Sequence, residues 1–229
     1  MRILAVDSAL GPCSAALWQD GRVVAEAAAE SAEPDAVLVP MVAAVMAQAN
    51  IAYAALDAIA VTIGPGSFTG LRVGVAAARG LSLAAGVPAI GITTFEALAA
   101  ALDPADIRGR DILIAIAAGR GDVYAQAFGP DLGLRGGPAC LAPADALALG
   151  RGQRVAAGNG VELLRAAAPA GQVAFLASGA IAAGTVAARA ALRLESAASD
   201  RVVLAAALAS PPEPLYLRRP AIRHVAGGP

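Results

Sequence analysis

The chain has 229 residues, a net charge of −1 and 58% hydrophobic residues, much of that alanine, with only 3% aromatics; it is long enough to bury a core as one large domain or two small ones. Two cysteines and a lone histidine, His224, exclude a disulfide framework and a histidine-rich metal site within the chain, and a Ser–His–Asp triad would have to recruit that one histidine. All the basic residues are arginines and none cluster beyond Arg218-Arg219, so any nucleic acid would be gripped mostly by a partner.

Ile3 to Val6 reads as a short buried strand, and Asp7 in this apolar run argues against a signal peptide. Ser14 to Trp18 and Arg22 to Ala28 read as two more strands, with Gln19-Asp20-Gly21 as the hairpin turn. Residues 35–49 form a predicted helix, which Pro40 either kinks or begins. A strand over 58–63 runs into Gly64-Pro65-Gly66, and Ser67 caps a long helix over 67–85. The most apolar stretch, 73–92, is interrupted by Arg79 and Pro88 and falls short of the ~18–20 residues of a membrane span; a cytoplasmic protein with no membrane contact is expected. A strand at 89–92 and a helix from Phe95 to about Leu102, capped by Thr94, follow.

Asp103-Pro104-Ala105-Asp106 marks a composition break, dividing a first lobe (1–103) from a second (104–199), with 200–229 returning to complete the first. After the break the opening pattern returns as strands at 112–116 and 122–128 with a turn at 129–133. Asp7 falls on Ala117 and Trp18 on Phe128, both at an offset of 110 positions. This internal repeat predicts an α/β fold of two duplicated mixed-sheet lobes around a cleft, the actin-like, Hsp70-like architecture shared with sugar kinases. A strand at 154–157, helices at 161–168, 179–194 and 201–209, and a proline-forced extended tail through Leu215-Tyr216-Leu217-Arg218 complete the reading.

The candidate sites fall into two groups. The first faces the expected cleft: Asp7, Ser8, the Gly64-Pro65-Gly66-Ser67 turn and Arg120, which reads either as a cleft-facing arginine or as part of a solvated turn before a strand. A strand, glycine turn and helix start can present backbone N–H groups to an anion, or can simply be a tight turn. Gly158-Asn159-Gly160 could lie against an adenosine. Asp7 has only Ala117 as its counterpart, and one carboxylate cannot both hold Mg²⁺ and position a nucleophile. The second group is an interface. No charge occurs between Asp35 and Asp57, and the 67–85 helix carries only Arg72 and Arg79. Helices so poor in charge are either buried on both sides or pressed against another protein. The interface candidates are Leu38, Met41, Val42 and Val45 on the first helix, and Phe68, Leu71, Arg72, Val75 and Arg79 on the second.

The stretches ILAVDSA (3–9), residues 56–99 with VTIGPGSFTGLRVGVAAARG at their centre, RGDVYAQAF (120–128) and, faintly, EPLYLR (213–218) resemble the bacterial TsaB (YeaZ-like) family of tRNA threonylcarbamoyladenosine biosynthesis proteins. The match runs through the first half and holds only in outline over 130–210. The resemblance implies an accessory subunit without catalysis, metal or cofactor of its own. It pairs with the catalytic paralogue TsaD, joined by the ATPase TsaE, to modify adenosine 37 of tRNA, with ATP or ADP bound in the full complex. It places the pairing surface on the helices at 35–49 and 67–85, a surface that can form a homodimer when the partner is missing. The paralogue's H-x-x-x-H metal motif cannot be built from one histidine. The competing expectation is an independent enzyme, either an actin-like ATP-dependent phosphotransferase or a glycoprotease-like hydrolase.

Overall fold

Alternating residues along the first strand go to opposite faces, and this sorts the whole first lobe. In β1 (Arg2–Asp7), Leu4 and Val6 enter one apolar cluster while Ile3 and Ala5 enter another. The computed structural model describes residues 1–30, 33–169, 171–176, 181–198 and 210–218. β1 pairs antiparallel with β2 (Cys13–Gln19), which pairs with β3 (Arg22–Ala29). β4 (Ala58–Gly64) and β5 (Ala89–Thr93) add parallel strands on the other side, in the order β3-β2-β1-β4-β5. On the Leu4/Val6 face lie α1 (Pro34–Ala49) and α2 (Phe68–Ala85); on the Ile3/Ala5 face lies α3 (Thr94–Ala100). α1 begins at Pro34, and Pro40 sits inside it.

The second lobe repeats this plan after the single turn α4 (Pro104–Ile107). β6 (Asp111–Gly119), β7 (Asp122–Phe128) and β8 (Ala139–Leu141) form the antiparallel part, followed by the short α5 (Pro143–Ala146). β9 (Arg154–Ala157), α6 (Val161–Ala167) and β10 (Val173–Phe175) follow, giving the order β10-β9-β6-β7-β8. Substituting each first-lobe strand by its counterpart reproduces this order, so the repeat seen in the sequence is a repeat of topology. The result is the two-lobed α/β, actin-like fold.

Two expectations need correction. The cap of α3 is Thr93, one residue earlier than Thr94. Its hydroxyl accepts from the Glu96 amide at 3.1 Å, and the Glu96 carboxylate accepts from the Thr93 amide at 2.9 Å; this reciprocal box requires an acid three residues after the cap. The helix expected at 179–194 in the second lobe is α7 (Ala183–Ala198), and it packs across the first sheet. Its buried residues Ala183, Val186, Ala187, Ala190 and Ala191 are small enough for close approach, and they join a core that also takes Ile112, Ile114 and Ile116 of the second sheet. First-lobe groups cap its start: Ser14 Oγ accepts from the Ala183 amide at 3.1 Å and Glu26 from the Gly184 amide at 3.0 Å. Further along, Arg193 donates to the Gly91 carbonyl and to the Glu96 carboxylate, each at 2.5 Å. The helix expected at 201–209 lies outside the described residues.

Glu96 therefore serves both a cap and an inter-helix ion pair. Burial pushes its carboxyl up, but Arg193 and the bonds with Thr93 outweigh that and hold it below the usual carboxylate range. A depressed acid contributes stability above its unfolded pKa and loses it as pH falls through the folded value. Glu96→Ala is expected to lower unfolding free energy by about 1–3 kcal/mol at pH 7, with the gap to the parent narrowing below about pH 4; urea titrations across pH check this.

Candidate functional site

Gly66, Gly70 and Gly74 recur every four residues and so line one side of the start of α2, the side turned to the end of β1. A Cβ on Gly70 would stand 1.9 Å from the Ser8 carbonyl oxygen, one on Gly66 2.4 Å from that of Ala9, and one on Gly74 2.6 Å from Ser8 Oγ. Bonds close the same contact: the Ser67 amide donates to the Ala9 carbonyl at 2.7 Å and Ser8 Oγ to the Gly70 carbonyl at 2.8 Å. Ser67 caps α2 as expected, accepting from the Gly70 amide at 3.3 Å. The glycine turn is thus packed against carbonyl oxygens, the wrong pole for an anion. The close packing is that of a tight turn.

Asp7 and Ser8 are buried rather than open to a cleft, at 1% and 5% exposure. The Thr62 hydroxyl donates to Asp7 Oδ1 at 2.5 Å and the Ala9 amide to the same oxygen at 3.2 Å, which folds the strand end into a turn. Burial raises the Asp7 carboxyl to about 6, against the opposing effect of these bonds. Arg120 is exposed in the β6–β7 turn at φ +59°. Gly158-Asn159-Gly160 is committed to β6. Asn159 Oδ1 accepts from the Ala117 amide at 2.9 Å, and the Gly160 amide donates to the Ala115 carbonyl at 3.0 Å. A Cβ on Gly158 would stand 2.0 Å from that same carbonyl oxygen. Among the described residues no three His, Cys, Asp or Glu side chains gather as a metal site, and no helix is long and apolar enough to cross a membrane.

The interface candidates divide sharply. Leu38, Met41, Val42 and Val45 of α1, with Leu71 and Val75 of α2, are buried in the lobe's own core and face β1, β2 and β4. As a partner surface they are corrected, because these side chains are already buried within the lobe. The outer side of α1 carries Val39, 57% exposed, with Pro40, Ala43 and Ala47. The outer side of α2 carries Ala76, Gly80, Ala84 and Leu83, the last 86% exposed. The helices pack side by side; these exposed positions are themselves uncharged, and on α2 they share the outer side with Arg72 and Arg79. Phe68, Arg72 and Arg79 are exposed but are met by the chain's own segment 210–218. Phe68 and Tyr216 rings lie 5.6 Å apart, Arg72 stacks on Phe68 at 3.8 Å, and Arg79 donates to the Pro212 carbonyl at 2.9 Å.

Fold and site together define an actin-like protein whose first-strand acid is buried and bonded within its own turn. A family model described as "TsaD: tRNA N6-adenosine threonylcarbamoyltransferase" matches residues 23–217, and the chain belongs to this family and, within it, to the TsaB (YeaZ) group. It is 40% identical over 124 residues to the tRNA threonylcarbamoyladenosine biosynthesis protein TsaB of Escherichia coli K12, a match covering 54% of this chain and 53% of that one. A tRNA N6-adenosine threonylcarbamoyltransferase of Erythrobacter litoralis is 49% identical over 59 residues, 26% of this chain and 17% of that one. The structure of YeaZ from Pseudomonas aeruginosa superposes with a TM-score of 0.78 at 25% identity, covering 94% of this chain and 99% of that one. The matched region spans about half the length of the curated TsaB relatives.

Two outcomes follow. Gly70→Ala must push backbone apart and is expected to cost about 3 kcal/mol. Gly80→Ala meets no atom within 4 Å and should be neutral or stabilising by up to about 1 kcal/mol; thermal denaturation separates them. For Asp7, the unfolded carboxyl ionises near 3.8 and the folded one near 6, so folding loses stability as pH rises between them. Asp7→Asn keeps an acceptor and is expected to exceed the parent by about 2–3 kcal/mol at pH 7 and to match it below about pH 4, read from denaturant midpoints against pH.

Proposed function

We propose that this chain is a non-catalytic subunit of the machinery that installs threonylcarbamoyladenosine at position 37 of tRNA, binding and activating a TsaD-type transferase in the cytoplasm. The observation that carries the reading is the set of small or apolar exposed residues on two neighbouring helices, Val39, Pro40, Ala43 and Ala47 with Ala76, Gly80 and Leu83. Small and apolar residues on neighbouring helices allow close helix-to-helix approach, and an exposed apolar patch of this kind fits a protein partner. Asp7 supports the same reading: it is buried, bonded to Thr62 and Ala9, and without an acid at Ala117. The TsaE-type ATPase, ATP or ADP and the tRNA belong in this reading to the assembled complex. The same surface serves a homodimer when the transferase is absent, because one surface cannot hold both at once.

Reconstitution tests it. The transferase, the ATPase, threonylcarbamoyl-adenylate and unmodified tRNA are combined with and without this chain, and modified adenosine is counted. Product is expected to require the chain. Ala43→Asp and Leu83→Asp should weaken binding to the transferase by tenfold or more, roughly one buried uncompensated charge, while changing stability by less than about 0.5 kcal/mol. Equal product without the chain, or native binding by both variants, would sink the reading.

A further inference from the structure

The segment 210–218 touches both lobes within a few residues. At its first end it lies along the first lobe. Pro212 is buried against Gly91, the Leu215 amide donates to the Ile63 carbonyl at 2.6 Å, and Glu213 pairs with Arg79 at 3.6 Å. Tyr216 accepts from Arg72 at 3.3 Å and packs beside Phe68. Two glycines make room for it: a Cβ on Gly91 would come within 3.3 Å of Pro212, and one on Gly64 within 3.0 Å of the Leu215 carbonyl oxygen. Leu217 then enters the core shared by the two sheets. At its far end Arg218 reaches the second lobe, where its guanidinium donates to the Ala118 carbonyl at 3.1 Å, to the Asp122 carboxylate, and to Cys140 Sγ at 3.2 Å. Those three acceptors belong to β6, β7 and β8, so the fork joins three neighbouring strands of the second sheet.

We propose that residues 212–218 form a clasp that ties the outer face of α2 to the β6–β7 hairpin and β8, so that loosening either end loosens the other. The physical reason is two-point attachment. The ion pairs at the two ends are partly exposed and weak alone, as such pairs are, but while one end holds, the other rebinds at high effective concentration. The clasp ends on the face of α2 where Phe68, Arg72 and Arg79 are presented. Anything that displaces Tyr216 there is therefore felt at Asp122 and Cys140.

Cys140 is a built-in reporter, half-buried beneath Arg218, while Cys13 at 1% exposure is an internal control. The full chain is treated with iodoacetamide under native conditions and the labelled peptides are followed by mass spectrometry. Arg72→Ala combined with Arg79→Ala alters only the first-lobe end. It is expected to speed labelling of Cys140 about tenfold or more, through loss of the Arg72 bond to Tyr216 and the Arg79 contacts with Pro212 and Glu213, with Cys13 unchanged. An unchanged Cys140 rate in this variant would overturn the clasp, even if Arg218→Ala accelerates labelling, because the two ends would then be independent local contacts. The parent protein supplies a second check that needs no variant. Hydrogen exchange of the Leu215 amide and labelling of Cys140 should report the same opening equilibrium; a Leu215 amide that opens far more often than Cys140 becomes accessible overturns the proposal equally.

Discussion

The close approach of α2 to the end of β1 is the constraint on which the first lobe turns. Three glycines at four-residue spacing remove the helix's own side chains from the contact, and the carbonyls of Ser8 and Ala9, with Ser8 Oγ, fill the space. Interiors pack without voids, so this one contact fixes the height and rotation of the whole helix. With Gly70 and Gly74 against the strand end, Leu71, Val75 and Ala78 must enter the core, and Arg72, Ala76, Arg79 and Leu83 must face outward. The position of the exposed residues, and of the arginines that receive segment 210–218, follows from where no Cβ is allowed.

The same region sets the chemistry open to the first-strand acid. A carboxylate that handles a cation or phosphate needs open coordination sites and a charge available at working pH. Asp7 spends an oxygen on Thr62 and Ala9, and burial disfavours its charge. The turn that could have cupped a phosphate is instead pressed onto backbone oxygens. On the outer surface of α1 and α2, Val39, Ala43 and Leu83 stay exposed among the described residues.

Much of this was legible in the sequence, and the failures have identifiable causes. Strand and helix positions followed from periodicity and turn residues, and the repeat at an offset of 110 became a repeat of strand order. Which side of α1 faces the core was not legible from polarity, because both sides are apolar. Side-chain size decided it: Leu38, Met41, Val42 and Val45 fill the core, while Ala43, Ala47 and Pro40 lie outside. The cap of α3 could have been found, since only Thr93 has an acid three residues on. The docking of α7 on the first sheet could not, because its capping groups Ser14 and Glu26 lie more than 150 positions away. The glycines of the 64–74 stretch carried a true signal whose meaning, steric rather than electrostatic, needed the neighbouring turn to be seen.

The placement of α7 has a consequence for how the protein is made. A chain emerging from the ribosome completes all five strands of the first sheet by Thr93, yet the helix that covers the Ile3/Ala5 face appears only from Ala183 onward. Throughout synthesis of the second lobe, that apolar face has only α3 over it and must wait for a contact of very high sequence separation, a slow step in folding. The first lobe therefore completes its packing on this face only after the second lobe has been synthesised.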